Sequence, residues 1–305
     1  MMLWIIFGIV IVGMLALDLR TTHGHVHEIK LKEALVRSAI WISAALVFAV
    51  VILIWKGNEK SLEFLTGYII EESLSVDNLF VFLVIFSFFK VPKKYEHEIL
   101  FWGIIGAAVT RGIFIVLGVE LVHRFEWVLY LFGVILLLTA GRLLFEKDKE
   151  IVPEKNIILR LFRRIMPIVN SYEDGKFFVR QEGKTYATLL FVVLLVVEST
   201  DILFAVDSIP AILGITHDPF IVYTSNIFAI LGLRSLFFAL SGIMTLFHHL
   251  HYGLALILAF VGIKMLIHDI YKIPITHALL TIAIILFLSI LASLIWPKKR
   301  SSDLL

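Results

Sequence analysis

Apolar residues run along this chain in long blocks instead of alternating with polar ones, and most blocks have the length of a membrane crossing. Weakly charged stretches cover about 2–18, 35–55, 61–89, 98–122, 125–145, 185–212, 220–246, 252–271 and 275–296, each near the roughly 20 residues that a spanning helix needs. The pattern predicts nine membrane helices. Two of them, 61–89 and 185–212, carry acids that depress their hydropathy. One long polar stretch interrupts the series, from Glu146 to Lys184, with nine basic and seven acidic residues around Leu161-Phe-Arg-Arg-Ile-Met166. It reads as a charged connector with a short interfacial helix.

Composition agrees with the pattern. Hydrophobic residues make up 60% of the 305 positions and the mean hydropathy is +0.96, against a usual apolar share of roughly half in soluble domains. The chain is therefore expected to form a single all-α transmembrane domain over 1–305. No basic segment precedes the apolar run Met1–Leu17 and no A-x-A-like site follows it before Asp18-Leu-Arg20, so the first helix is expected to be retained and not cleaved as a signal peptide.

Charge matters here by location. Alternate loops collect 19 Lys and Arg residues on one side and four on the other, Lys56, Lys60, Arg124 and Lys272. The positive-inside rule then places the N-terminus outside and the C-terminus in the cytoplasm. A net charge of +2 with no concentrated basic patch gives no reason to expect nucleic acid as a partner. The absence of cysteine excludes disulfides, iron–sulfur ligation and thiolate zinc sites, so a bound metal must use oxygen or imidazole. No resident cofactor is expected.

The chain also repeats itself. Glu71-Glu-Ser-Leu-Ser-Val-Asp-Asn-Leu79 aligns without a gap on Asp201-Ile-Leu-Phe-Ala-Val-Asp-Ser-Ile209, placing Glu71 opposite Asp201 and Asp77 opposite Asp207. In the same order, Thr110-Arg-Gly-Ile-Phe114 resembles Leu233-Arg-Ser-Leu-Phe237, and Ala140-Gly-Arg-Leu-Leu144 resembles Gly262-Ile-Lys-Met-Leu266. Residues 61–145 and 185–271 thus read as two copies of a three-helix unit, joined by the cytoplasmic connector 146–184 and followed by a final helix at 275–296. Three crossings being odd, the second copy enters the membrane upside down, the inverted-repeat plan of many secondary transporters.

Six acids fall inside predicted spans, Glu71, Glu72, Asp77, Glu198, Asp201 and Asp207, with four bases, Arg111, Arg142, Arg234 and Lys264. Fully ionised, they sum to −2, which one divalent cation would neutralise. Charges at bilayer depth are costly and commonly mark ion pathways. Asn78 and Ser208 add neutral oxygens of the kind hard cations accept. The candidate metal residues are therefore Glu71, Asp77, Asn78, Glu198, Asp201, Asp207 and Ser208, with Asp77 and Asp207 expected to face each other near the midplane. A competing reading has the acids simply pairing with arginines to lock helices together, and Arg111 and Arg234 fit that balancing role. Asn226 fits either an oxygen ligand or a packing amide.

Spacing limits the geometry. Glu198 and Asp201 share a helix face, whereas Asp207, six residues on, points away from Asp201 unless the helix breaks. Pro210 lacks an N–H and frees the Val206 carbonyl, so a break there is expected. Glu198 and Asp201 offer no nucleophile and no acid–base pair across a cleft, so no enzyme is expected. The clusters His23-Gly-His-Val-His27 and His248-His-Leu-His251 fall on cytoplasmic loops and read as solvated segments with some capacity for transition metals.

Through Glu71–Phe80, Glu198-Ser-Thr-Asp-Ile-Leu-Phe-Ala-Val-Asp-Ser-Ile-Pro210 and Thr224-Ser-Asn-Ile-Phe-Ala-Ile-Leu-Gly-Leu-Arg-Ser-Leu-Phe237, the chain resembles the TerC family of integral membrane proteins, named for tellurium resistance. The resemblance implies a LysE-type fold with inverted three-helix repeats, a bacterial inner membrane location, and membership in a family whose better understood members export manganese. By motif position it implies Glu71, Asp77, Glu198, Asp201 and Asp207 as site residues. Tellurite is an anion, so a carboxylate-lined site is a poor direct carrier for it. The expected function is export of a divalent cation, Mn²⁺ foremost, by proton antiport. The alternative is a membrane assembly or metal-delivery factor acting at the translocation machinery. Self-association into a homo-oligomer is open to either.

Overall fold

The computed structural model describes residues 4–13, 31–125, 127–145, 161–162, 166–181, 183–240 and 250–295. Its helices are α1 Trp4–Gly13, α2 Leu31–Lys56, α3 Asn58–Phe88, α4 Lys93–Arg124, α5 Trp127–Phe145, α6 Leu189–Leu213, α7 Pro219–Leu240, α8 Leu250–Leu266 and α9 Ile275–Ile295. By length and composition α2, α4, α5, α6, α7 and α9 can each cross a bilayer, and α1 and α8 are shorter apolar helices. The acid-bearing α3 has 31 residues, about 46 Å of helix at 1.5 Å per residue, so its length suffices although its polar residues lower its hydropathy.

Large apolar side chains stand exposed along α2 (Ile40, Val47, Ile54), α5 (Leu131, Leu138) and α9 (Ile284, Phe287). In lipid that is the outer face, since backbone groups are satisfied within each helix. The helix at the centre is α7. Of its most apolar window 89% is buried, against 17% for α9, and α7 packs on α2, α3 and α4. The other principal pairs are α5 with α8, α4 with α6, α2 with α3 and α3 with α6. Phe7 of α1 is buried among Phe48, Phe220 and Phe228, which makes the first helix part of the core.

Helices α5 and α8 approach through glycine. A Cβ at Gly133 would lie 3.0 Å from the Gly262 carbonyl oxygen, and one at Gly262 would lie 2.9 Å from that of Gly133. Ala140 and Ala255 on the same two helices are also buried. Small residues that admit close backbone approach are a common basis for helix association in membranes.

The connector departs from the sequence expectation. Its described part is not only a loop with a short helix: β1 Ile168–Val169, β2 Phe178–Gln181 and β3 Lys184–Thr188 form a sheet in the order β1-β3-β2. β2 and β3 pair antiparallel across a tight turn that has Gly183 at φ +80°, and β1 joins β3 in parallel. The positive φ suits glycine, which lacks the Cβ that penalises it. Consequently the span predicted from 185 starts as strand, and helix begins only at Leu189. The sheet docks where α3 ends and α4 starts: the Tyr172 hydroxyl donates to the Phe89 carbonyl at 2.8 Å, and Tyr172 stacks on Tyr95 with ring centres 5.8 Å apart. The opposite end of the bundle is tied by Lys56 to Asp218 at 2.6 Å and by Lys264 Nζ to the Gly214 carbonyl at 2.5 Å.

Candidate cation site

Helices α3, α4, α6 and α7 meet in the interior, and each contributes a polar side chain to the same point. Arg111 of α4 is wholly buried. Its Nη1 forms an ion pair and hydrogen bond with Glu71 Oε1 of α3. The other side of the guanidinium grips Asp201 of α6, with Nη2 3.0 Å from Oδ1 and Nε 3.4 Å from Oδ2. Nη1 also donates to Ser208 Oγ at 3.1 Å and reaches the side-chain Oδ1 of Asn226 on α7 at 3.5 Å. Asn226 closes the ring by donating from Nδ2 to Glu71 Oε2 at 3.0 Å.

The electrostatics follow from this count. Two carboxylates share one guanidinium, so with all three ionised the cluster carries −1. A fork-shaped cation that grips a carboxylate with two N–H groups is a strong partner, and removing one member of a buried set leaves uncompensated charge. Glu71 and Asp201, the positions matched by the internal repeat, therefore meet on a single positive group. Ser208 and Asn226 supply neutral oxygens beside them.

The remaining candidates lie elsewhere. Asp207 is half-buried and accepts from Thr139 Oγ1 of α5 at 2.8 Å, with the Arg142 charge within electrostatic reach. The expected break is absent: α6 is helical from Leu189 through Pro210 to Leu213. Asp207 accordingly points away from Asp201, as an unbroken helix requires. Glu198 faces α4, where a Cβ at Gly106 would fall 2.1–2.4 Å from its carboxyl group. That glycine makes the room the carboxyl occupies. Asn78 is buried on α3. The side chain of Asp77 lies outside the described residues, and so does its expected approach to Asp207. The same holds for His23–His27 and His248–His251.

Glu72 points away from Glu71, toward Gly232 of α7 and Trp41 of α2, and among the described residues its buried Oε2 has no hydrogen-bond partner. Among the described residues, no group of three or more histidine or acidic side chains is set to hold one metal ion together. Arg111 is the physical reason at the centre, since it takes up the oxygens of Glu71 and Asp201. A cavity of about 20 Å³ reaches Asp201 from the side of Arg234, bounded by Phe82, Gly103 and Leu233 among others. That is room for about one water molecule.

Sequence reasoning missed Thr139 and Gly106. A threonine three residues before Arg142 shares its helix face, which was a usable signal. Gly106 sits one turn before Thr110-Arg111 and gave none.

Comparison with known proteins places the chain among membrane proteins. The profile of the integral membrane protein TerC family matches residues 56–302. An uncharacterized membrane protein of Myxococcus xanthus is 50% identical over 302 residues, covering 99% of this chain and 94% of that protein. A membrane protein of Rickettsia bellii is 40% identical, covering 96% of this chain and 97% of the relative. An Escherichia coli protein named "Putative membrane-bound redox modulator Alx" is 43% identical, covering 91% of this chain and 89% of that one. No solved structure matches.

Proposed function

Because the chain belongs to the TerC family of integral membrane proteins, we propose that it exports a divalent cation, Mn²⁺ foremost, in exchange for protons. The observation that carries this reading is the convergence of Glu71 and Asp201 from the two repeat copies on one positive group in the membrane interior. Oxygen atoms that hold a guanidinium at 3.0–3.4 Å can hold a hard cation once Arg111 turns aside. Glu198 and Asp207 stand one and two turns away along α6, and Asp77 lies in the matching position on α3, as further carboxylates on the route. All are oxygen donors, which suit Mn²⁺, Mg²⁺ and Ca²⁺ alike.

Packing supports inverted repeats as the machinery. Exchanging α3, α4 and α5 with α6, α7 and α8 turns the α3–α7 pair into the α6–α4 pair, and maps α3–α6 and α5–α8 onto themselves. All of these pairs exist. In this scheme the N-terminus is outside, and the sheet-bearing connector lies in the cytoplasm of a bacterial cell. Protons enter the cycle because they compete with the metal for the same carboxylate oxygens.

Purified protein in sealed liposomes containing a Mn²⁺-sensitive dye tests the reading, with Mg²⁺, Ca²⁺ and Zn²⁺ as competitors. Flux saturable in Mn²⁺ and stimulated by an opposing proton gradient is the expected result. Liposomes no leakier than protein-free controls would refute it. A second reading, an assembly or metal-delivery factor docking on the translocation machinery, draws on the folded sheet of the connector, in which β1 and β2 are the edge strands among the described residues and edge strands can accept another chain. Co-purification through that sheet, with no autonomous flux, would favour it.

A further inference from the structure

At the end of the bundle away from the sheet, a cavity of about 530 Å³ opens between helix ends. None of the candidate cation residues whose side chains are described lines it. Its floor includes Leu213, Gly214, Lys264 and Met265, and Gly214 follows Asp207 by seven residues, about 10 Å along the helix axis. Three histidines from three separate segments face it: His123 in the last turn of α4, His217 in the turn between α6 and α7, and His268 just after α8. The His123 and His217 rings meet edge to face with centres 6.5 Å apart.

The other charges around the histidines are already engaged. Glu63 of α3 accepts from Lys60 at 2.8 Å and from the Thr216 hydroxyl. Asp218 is paired with Lys56 of α2 at 2.6 Å. Lys264 of α8 is held on the Gly214 carbonyl. Asp269 lies 3.2 Å from His268 Nδ1 and accepts from the Tyr130 hydroxyl of α5, with the Lys272 charge near it. Arg124, beside His123, pairs with Glu120 at 2.5 Å. With the imidazoles neutral, Lys60 and Lys264 balance Glu63 and Asp218 in the cavity wall. With all three protonated, the wall gains three positive charges and no new negative ones.

We propose that this cavity is the outer mouth by which the transported cation leaves, and that protonation of His123, His217 and His268 turns it into a barrier to cations coming back. The proposal rests on the exporter reading. Burial, then the neighbouring His123, His268 and Lys264 charges, hold His217 below the ordinary histidine value, so the barrier completes itself only on the acid side of neutrality. An acidic exterior, the condition that drives a proton-coupled exporter, is thus also the condition under which the mouth repels returning metal.

The test uses the full-length protein in right-side-out membrane vesicles, timing Mn²⁺ uptake down its gradient at outer pH of about 7.5 and about 5.5, on either side of the histidine range, with inner pH and voltage held fixed. Fields focused in charged clefts change local ion concentration by about 10-fold or more, so acidification should slow wild-type uptake by about that factor beyond the slowing that the opposing proton gradient and proton competition impose on both proteins. The variant His123→Gln/His217→Gln/His268→Gln should match wild type at the higher pH and, having lost that field, show only the shared slowing at the lower, leaving it about 10-fold faster than wild type there. Proton competition at membrane-depth carboxylates slows both proteins alike, so identical pH profiles would overturn the inference and leave the exporter reading standing. No Mn²⁺ flux in wild type would overturn both. Should the triple variant be inactive at the higher pH, His123→Gln/His268→Gln changes only the two exposed rings; an intermediate pH sensitivity supports the proposal, and unchanged sensitivity overturns it.

Discussion

Arg111 binds side chains from three other helices, and its removal leaves two buried acids without their shared cation. Arg111→Gln strands Glu71 and Asp201 as facing carboxylates, and breaking a buried ion pair costs about 3–5 kcal/mol. The thermal midpoint in detergent should fall accordingly. Asp207→Asn is the opposite case. Asp207 stands apart from that cluster and its Thr139 partner can still donate to the amide oxygen, so the stability loss should stay within about 1 kcal/mol while Mn²⁺ export is lost. Normal manganese tolerance in cells carrying Asp207→Asn would remove that residue from the route. Of this geometry, the sequence exposed the acids and their spacing, whereas the break expected at Pro210 to bring Asp207 round is not formed. It could not say that Arg111 rather than Arg234 would take both acids, because that depends on where helices cross.

At the scale of elements, the two glycine contacts differ in kind. A methyl at Gly262 meets the Gly133 backbone carbonyl, which cannot yield without moving a helix. Gly262→Ala should therefore destabilise by about 1–3 kcal/mol, the usual range for overpacking. A methyl at Gly106 meets only the mobile end of Glu198. Gly106→Ala should keep its thermal midpoint and instead displace that carboxyl, read as a changed apparent affinity for Mn²⁺. The tie between α2 and the α6–α7 turn is pH-dependent. Burial opposes the Asp218 charge, but Lys56 and the N–H groups of Phe220 and Ile221 outweigh it and hold the carboxyl below its ordinary 3.8. A depressed acid stabilises the fold above its unfolded value, and that contribution is lost as pH falls through the folded one. The drop in thermal midpoint on acidification below about pH 4 should thus be shallower in Asp218→Asn than in wild type. The helices were readable because long apolar runs leave few alternatives. The sheet was not, because strands of two to five residues inside a charged stretch show no sustained alternation.

For the whole molecule, the export proposed above would require the two halves of the bundle to shift relative to each other, driven by a gradient. Collapsing the pH gradient with an ionophore at fixed membrane potential is expected to stop uphill Mn²⁺ efflux. Continued uphill efflux would exclude proton antiport while leaving a cation site intact. The proposed repeat rests in the sequence on acidic segments that align without a gap. In space, the packing of α3 on α7 and of α4 on α6 is consistent with it.

The buried Arg111 cluster also bears on how the chain is made. Synthesis delivers α3 and α4 to the membrane first, and α6 only after the connector has been translated. Glu71 and Arg111 are therefore available to each other as a neutral hairpin while Asp201 is still unmade. Arriving last, Asp201 is an acid in search of a cation already committed. Insertion of the second half therefore means sharing Arg111 with Glu71, which turns a neutral pair into a cluster of −1.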